Sequence, residues 1–446
     1  MKKVWLVAAL AAIGTMATSV FADVQNIRLS GDVRIRGYYL NGAGEEQSYG
    51  TAGNGDNAFI MQRTRITCEA DLEDHVLVVI TLKAEGLWGQ ADGVGYPGYG
   101  HYSDGTSGDR GWKVGISEAY VQFSEMFFTP ATLKLGRQYL NYGKGFVLSS
   151  ANETYNFDAG RLVLDFYPLT IDIVGARLSD ETANTYWFDA DSHHGGNNLL
   201  FINGRYEMKD SIIKAVEAYF GWVSAASAGG AYPPEYWPTT PSYRSSPWTV
   251  GLRADLAPIK GLSVWLEGAY EGGTYGYGGE VEAWLANVGA KYCFKDVKME
   301  PCINANYIYA SGYSAGYLPF FPSFAGYNGY LFAPALRNIH IFNVGASVKP
   351  AKNVTLAVQA YYYLKDDADN WAGSDYWQQE FGGLDWYNAD KRELGWELDA
   401  ICGYDYSKDV RFQLVYAAFI PDRAYTTYYG FDAVAHMIRG EVNVKF

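Results

Sequence analysis

The stretch IRLSGDVRIRGYYL, residues 27–40, places charge and grease at alternate positions. Arg28, Ser30, Asp32, Arg34, Arg36 and Tyr38 share one parity, and Ile27, Leu29, Gly31, Val33, Ile35, Gly37 and Tyr39 share the other. Successive side chains of a β-strand point to opposite faces, so the segment presents one polar and one apolar surface. A soluble sheet with its apolar face in a core would read the same way. What separates the two is how the pattern recurs.

It recurs from end to end. HVLVVITLKAEGLWG (75–89) aligns Val76, Val78, Ile80, Leu82, Ala84 and Trp88, and TVGLRADLAP (249–258) sets Val250, Leu252, Ala254 and Leu256 against Arg253 and Asp255. ELGWELDAIC (393–402) sets Leu394, Trp396, Leu398, Ala400 and Cys402 against Glu393, Glu397 and Asp399. About eighteen such segments follow one another, each of about 10–14 residues, enough at a tilt of ~40° to cross an apolar band ~25 Å tall. Tight turns such as LEDH (72–75), PIKG (258–261) and YSKD (406–409) alternate with long connections such as 89–111, 142–158, 223–247, 312–338 and 366–390. A sandwich has no reason to gather its long loops at one end; outer-membrane barrels do so. Closure also removes the exposed edges of so large a sheet. The expected fold is all-β: a transmembrane antiparallel up-and-down β-barrel of about 18 strands, with short periplasmic turns and long extracellular loops. Aromatics at strand ends, among them Tyr39, Trp88, Phe220, Trp222 and Tyr362, fit interfacial girdles.

The first residues, MKKVWLVAALAAIGTMATSVFA (1–22), have two lysines, an apolar run and a small-residue end. They read as a secretory signal cleaved after Ala22, leaving residues 23–446 as one barrel. No later run reaches the ~18 apolar residues of a spanning helix. The last segment, AHMIRGEVNVKF (435–446), alternates and ends on Phe446. A terminal aromatic of this kind resembles the assembly signal of bacterial outer-membrane barrels, which implies the barrel assembly machinery as a partner besides outer-membrane lipid. The net charge of −14 speaks against nucleic acid. The four cysteines lack metal spacing, and no cofactor or metal is expected. Cys293 and Cys302 flank the turn KDVK (295–298), where a disulfide fits an oxidising compartment; Cys68 and Cys402 have apolar parity, as small hydrophobes.

Parity also assigns a lumen. Arg28, Arg34, Arg36, Arg63, Arg65, Lys83, Lys134 and Arg161 form a basic side, interrupted by Asp32, Glu69, Glu85 and Asp165. Glu267 and Glu271 stand roughly opposite, with Glu393, Glu397 and Asp399 further round. Two readings stay open: a transverse field that tunes selectivity, or salt-bridged neighbours that simply fill the lumen. Glu118, Tyr120 and Gln138 share the inward parity, as do Tyr38, Tyr361 and Tyr363, whose rings could stack on sugars or merely pack. Arg137 has lipid parity, which at midplane would cost ~2–4 kcal/mol. It is therefore expected among the pore-lining residues, turned inward by a bulge near Gly136, unless the strand has already reached the interface. The Gly-rich loop that follows, 141–158, either folds into the lumen or lies on the surface.

Two neighbouring stretches, SEAYVQF (117–123) and LKLGRQYLNYGKGF (133–146), resemble the alginate-export family of outer-membrane porins. The resemblance implies a channel for a hydrophilic solute, an oligo- or polysaccharide or smaller ions. The alternatives are a general diffusion porin, or an adhesin barrel using the loop AGGAYPPEYWPTTPSY (228–243). An enzyme is not expected: no GxSxG or phosphate loop follows a strand, and His193–His194 near Asp189 and Asp191 reads as a solvated loop.

Overall fold

The computed structural model describes residues 26–41, 57–89, 112–150, 156–178, 198–224, 246–275, 279–312, 328–332, 334, 336–368, 391–424 and 434–446. The leader 1–22, the loop 228–243, His101, His193 and His194 lie outside these residues.

The first nine strands are β1 (Asn26–Asn41), β2 (Asn57–Asp71), β3 (Val76–Leu87), β4 (Lys113–Phe123), β5 (Ala131–Gln138), β6 (Phe157–Phe166), β7 (Leu169–Arg177), β8 (Asn198–Glu207) and β9 (Ile213–Ser224). The second nine are β10 (Ser246–Leu256), β11 (Leu262–Tyr275), β12 (Gly279–Cys293), β13 (Cys302–Ala310), β14 (Ile339–Ala351), β15 (Val354–Leu364), β16 (Glu393–Asp405), β17 (Val410–Pro421) and β18 (Ala435–Lys445). Each pairs antiparallel with its neighbours in sequence, and β1 pairs with both β2 and β18. The eighteen strands therefore close on themselves, and no sheet edge is left to meet lipid.

Exposure runs inside out. Leu29 is 69 % exposed, whereas Asp32, three residues on in the same strand, is 4 % exposed. Around the ring Ile80, Leu252, Leu266, Val288, Val344, Val358, Leu398, Leu414 and Ile438 are exposed on the outer face. A soluble monomer rarely shows an apolar patch above a few hundred Å², so a belt of this extent calls for hydrocarbon outside. Cys68 sits in it between Leu29 and Ile80.

The seam is closed by the last residue. Gly31 N–H donates to the Phe446 carbonyl (2.8 Å), and Phe446 N–H donates back to Gly31 (3.0 Å). The Phe446 ring lies over Gly31, where a Cβ would stand 2.7 Å from the ring edge. Register shifts interrupt four of the described pairings, β3–β4, β9–β10, β14–β15 and β15–β16, and two of them bear on the lumen. Ser117 is unpaired between Glu118 and Ile116 of β4, and Leu394 is unpaired between Glu393 and Gly395 of β16.

Candidate functional site

Among the described residues two segments leave the wall and enter the lumen, held by carboxylates on distant strands. The first follows β5. It closes on itself through Leu140 N–H to Ser150 Oγ (2.8 Å), Tyr142 N–H to the Leu148 carbonyl (3.1 Å) and Ser149 Oγ to Asn141 Oδ1 (2.7 Å). Leu140, Phe146, Val147 and Leu148 are buried, and the Tyr142 ring stacks 4.7 Å from Phe201 of β8. At the tip, Gly143 N–H donates to Glu217 of β9 and Lys144 N–H to Glu267 of β11, both at 3.0 Å. Gly143 has φ +58°, and a Cβ there would lie 2.5 Å from the Glu267 carboxylate, so glycine alone fits. Of the two readings open for this loop, the inward one holds for residues 141–150; residues 151–155 are outside the description.

The second segment, residues 328–332, lies between β13 and β14. Glu397 of β16 accepts from the N–H groups of Tyr330 (2.6 Å), Leu331 (2.7 Å) and Phe332 (2.8 Å). Tyr363 of β15 donates to the Asn328 carbonyl (2.7 Å) and approaches Glu397 (3.1 Å). Phe332 stacks on Phe419 at 4.4 Å, and the Arg439 guanidinium stands 4.8 Å from the Tyr330 ring. Three convergent backbone donors make a concave nest for an anion, here filled by a side chain of the wall.

Between the segments lies a chamber of about 270 Å³. Lys144, Phe146 and Tyr330 come from the segments; Trp265, Asn287, Lys291, Asn304, Asn306, Asn343, Gln359 and Tyr361 come from the wall. Amides dominate that wall. Asn304 donates to Asn343 (3.1 Å) and Gln359 (3.2 Å), and Asn343 donates to Gln359 (3.0 Å). Lys144 Nζ stands 4.3 Å from the Trp265 ring. Burial and the nearby Arg253 guanidinium hold the Lys144 ammonium below the usual lysine range.

Outside the chamber the lumen is lined by ion pairs. Asp32 receives Arg63 (3.0 Å) and Arg65, Arg34 reaches Glu85 (3.3 Å), and Arg36 reaches Glu441 (2.5 Å). Arg161 pairs with Asp172 (2.7 Å), and Arg28 with Glu69 (2.9 Å) and Asp71 at the periplasmic mouth. Lys134 Nζ lies 4.1 Å from the Tyr120 ring, and Glu118 accepts from Thr81 (3.1 Å). Gln138 donates to the Gly136 and Ala159 carbonyls, Glu271 and Asp399 are buried, and Lys83 lies opposite Arg65 on β3.

A family model described as alginate export matches residues 26–430. The chain belongs to the alginate-export family. No curated protein matches it. Solved structures similar to this alginate-export chain include OprD from Pseudomonas aeruginosa, with TM-score 0.55 and 13 % identity over 95 % of this chain and 96 % of that one. OccK5 (OpdH) from the same organism gives 0.54 and 11 % over 94 % and 98 %. OccK2 (OpdF), in complex with glucuronate, gives 0.56 and 9 % over 95 % and 97 %. At such identities the likeness is one of fold: an outer-membrane porin barrel.

In this alginate-export barrel two expected lumen residues lie elsewhere. Arg137 remains on the outer face, its guanidinium on Asp158 at 2.8 Å and near the Ile116 carbonyl, with β4 and β5 in unbroken register. The bulge near this motif is one strand away, at Ser117, and Arg137 avoids the desolvation cost because it sits near the end of β5 with an acidic partner. Glu393 is also outside. The unpaired Leu394 shifts the parity, so Glu393 pairs with Leu364 beside the inward Tyr363 and lies 4.0 Å from Arg423, while Leu394 itself is buried. Sequence reasoning passed over Trp265, Asn287, Asn304, Asn306 and Gln359. Their inward parity was a usable signal, but neutral amides do not stand out in a scan for charge. Cys293 and Cys302 face each other in register, with their sulfurs bonded at 2.10 Å.

Proposed function

We propose that this protein is a bacterial outer-membrane channel that passes a hydrophilic saccharide through the gap between its two inward segments. The observation that carries the reading is a lumen with ion-paired walls that narrows to an amide- and aromatic-lined chamber within a barrel whose outside is apolar. Amides offer paired donors and acceptors to hydroxyls, and fixed aromatic rings offer faces to sugar C–H groups. Arg28, Arg34, Arg36, Arg63, Arg65, Lys83, Lys134 and Arg161 line the approach, with Glu118, Tyr120, Gln138, Glu271 and Asp399. Glu267 and Glu397 serve as posts for the inward segments. Residues 1–22 direct export, Phe446 presents the last strand to the assembly machinery, and Cys293–Cys302 is oxidised in the periplasm. No enzymatic turnover is part of this reading.

Planar-bilayer conductance with saccharides as blockers tests it. Purified protein should give steady single-channel steps that candidate sugars interrupt. A barrel that does not conduct removes the reading. One observation favours a second reading, a general diffusion porin: six lumenal arginines already have carboxylates at 2.5–3.3 Å or closer. Neutralising Arg34, Arg36, Arg63 and Arg65 together should alter ion preference if they filter, and leave it unchanged if they only fill space.

A further inference from the structure

Arg137 is a cation on the lipid side of the wall, and it belongs to a row. The register sets Arg137 of β5 beside Asp158 of β6, Asp158 beside Arg177 of β7, and Arg177 beside Asn198 of β8. All four have the outer parity, and they lie at the strand ends that lead into the long connections. The row is accessible: the Arg137 side chain is 41 % exposed and that of Asp158 54 %, and Arg177 and Asn198 are exposed as well. Asp158 accepts from Nε and Nη2 of Arg137, both at 2.8 Å, while Nη1 has the Ile116 carbonyl at 3.4 Å. Arg177 Nη1 donates to Asn198 Oδ1 (3.0 Å). Two guanidinium groups against one carboxylate leave the row cationic, at the height where the apolar belt gives way to lipid headgroups.

One outer row closer to the midplane, the same strands read Leu135, Gly160, Gly175 and Leu200, with Trp222 of β9 next to Leu200. Neither glycine has a positive φ, so the backbone does not call for it. A Cβ on Gly175 would meet nothing within 4 Å, and one on Gly160 would meet the Leu135 methyl at 3.3 Å. The outer face is therefore notched directly beneath the arginines, between Leu135 and Leu200, and Leu162 and Ile173 lie in the next row below. An arginine row at the rim calls for an anion with several oxygens, and phosphate matches the guanidinium fork. The notch calls for the apolar shoulder of the same molecule, because what touches this face is hydrocarbon. We propose that Arg137, Arg177 and the notch over Gly160 and Gly175 bind a phosphorylated lipid of the outer leaflet, with Asp158 as the positioning residue for Arg137. Among phosphorylated lipids the site commits to the multiply acylated glycolipid, lipid A, which carries phosphate at the level of the long connections. The proposal concerns the outside of the wall and is independent of what crosses the lumen.

Native mass spectrometry of the whole barrel in neutral detergent, titrated with diphosphoryl lipid A and separately with phosphatidylglycerol, tests the site. Wild type should hold lipid A about fivefold more tightly than phosphatidylglycerol, or better. Arg137→Gln combined with Arg177→Gln should weaken lipid A binding about tenfold. Gly175→Leu fills the notch and keeps both charges, and should weaken it about fivefold. Single-channel conductance of these variants should match the wild type, since residues 137, 175 and 177 all have the outer parity. If the double variant does not reach the folded, heat-modifiable form, Arg177→Gln alone carries the measurement. Equal retention of the two lipids by the wild type, or unchanged lipid A binding in either folded variant, overturns the site.

Discussion

Glu397 gives both of its oxygens to the backbone of residues 330–332, a segment more than sixty residues away. Glu397→Ala leaves three N–H groups without that acceptor, each worth about 1–3 kcal/mol if kept dry. The segment is expected to move toward water instead. Single-channel recordings should show a higher conductance and a noisier open state, and unchanged steps would refute the assignment of Glu397 as a post. Lys144 allows a test by pH. Its amine is held below the ordinary range, so it is charged at lower pH and loses its proton earlier than a solvated lysine as pH rises. Reversal potentials should therefore drift toward less anion preference on moving into the alkaline range, and Lys144→Met should remove that limb of the curve.

Most of the strands were legible because one rule, alternation with period two, operates without interruption when each strand separates lipid from water. Where a single extra residue enters, the rule fails silently. Nothing in the composition of ELGWEL marks Leu394 as the supernumerary residue, and parity counted from Glu397 back to Glu393 crosses it. Gly395, at φ +145°, was the available sign. For the inward segments the sequence left two readings open for the first and gave no sign of the second, because their fixing groups, Glu217, Glu267 and Glu397, are remote in sequence and look like any other lumenal acid. Gly136 illustrates what close strand contact demands. It has φ +126°, and a Cβ would lie 2.2 Å from the Ala119 carbonyl. Gly136→Ala should cost about 1–3 kcal/mol, read as a lower temperature for loss of the heat-modifiable form. The β12–β13 hairpin makes a second claim at this scale. Alkylating the denatured, unreduced protein should label Cys68 and Cys402 alone, and prior reduction should double the count; four labels without reductant would refute the bonded pair.

For the barrel as a body, the pairing of lumenal charge decides how it treats ions. Asp32 is shared by Arg63 and Arg65, both partly or fully buried. With compensation this local, the wild-type pore should discriminate weakly between small anions and cations. Asp32→Asn removes the shared carboxylate, and the reversal potential should move clearly toward anions; destabilisation of about 3–5 kcal/mol is expected alongside, as for any broken buried pair.

The reciprocal bonds between Gly31 and Phe446 make the last strand the clasp of a ring whose count is even. Take away residues 435–446 and seventeen strands remain, with β1 and β17 running in the same direction. They cannot zip together in the antiparallel pattern used everywhere else in the wall. A chain shortened by that one strand would thus carry two raw borders that fit other molecules better than each other, and clumping rather than a narrower pore is its natural fate.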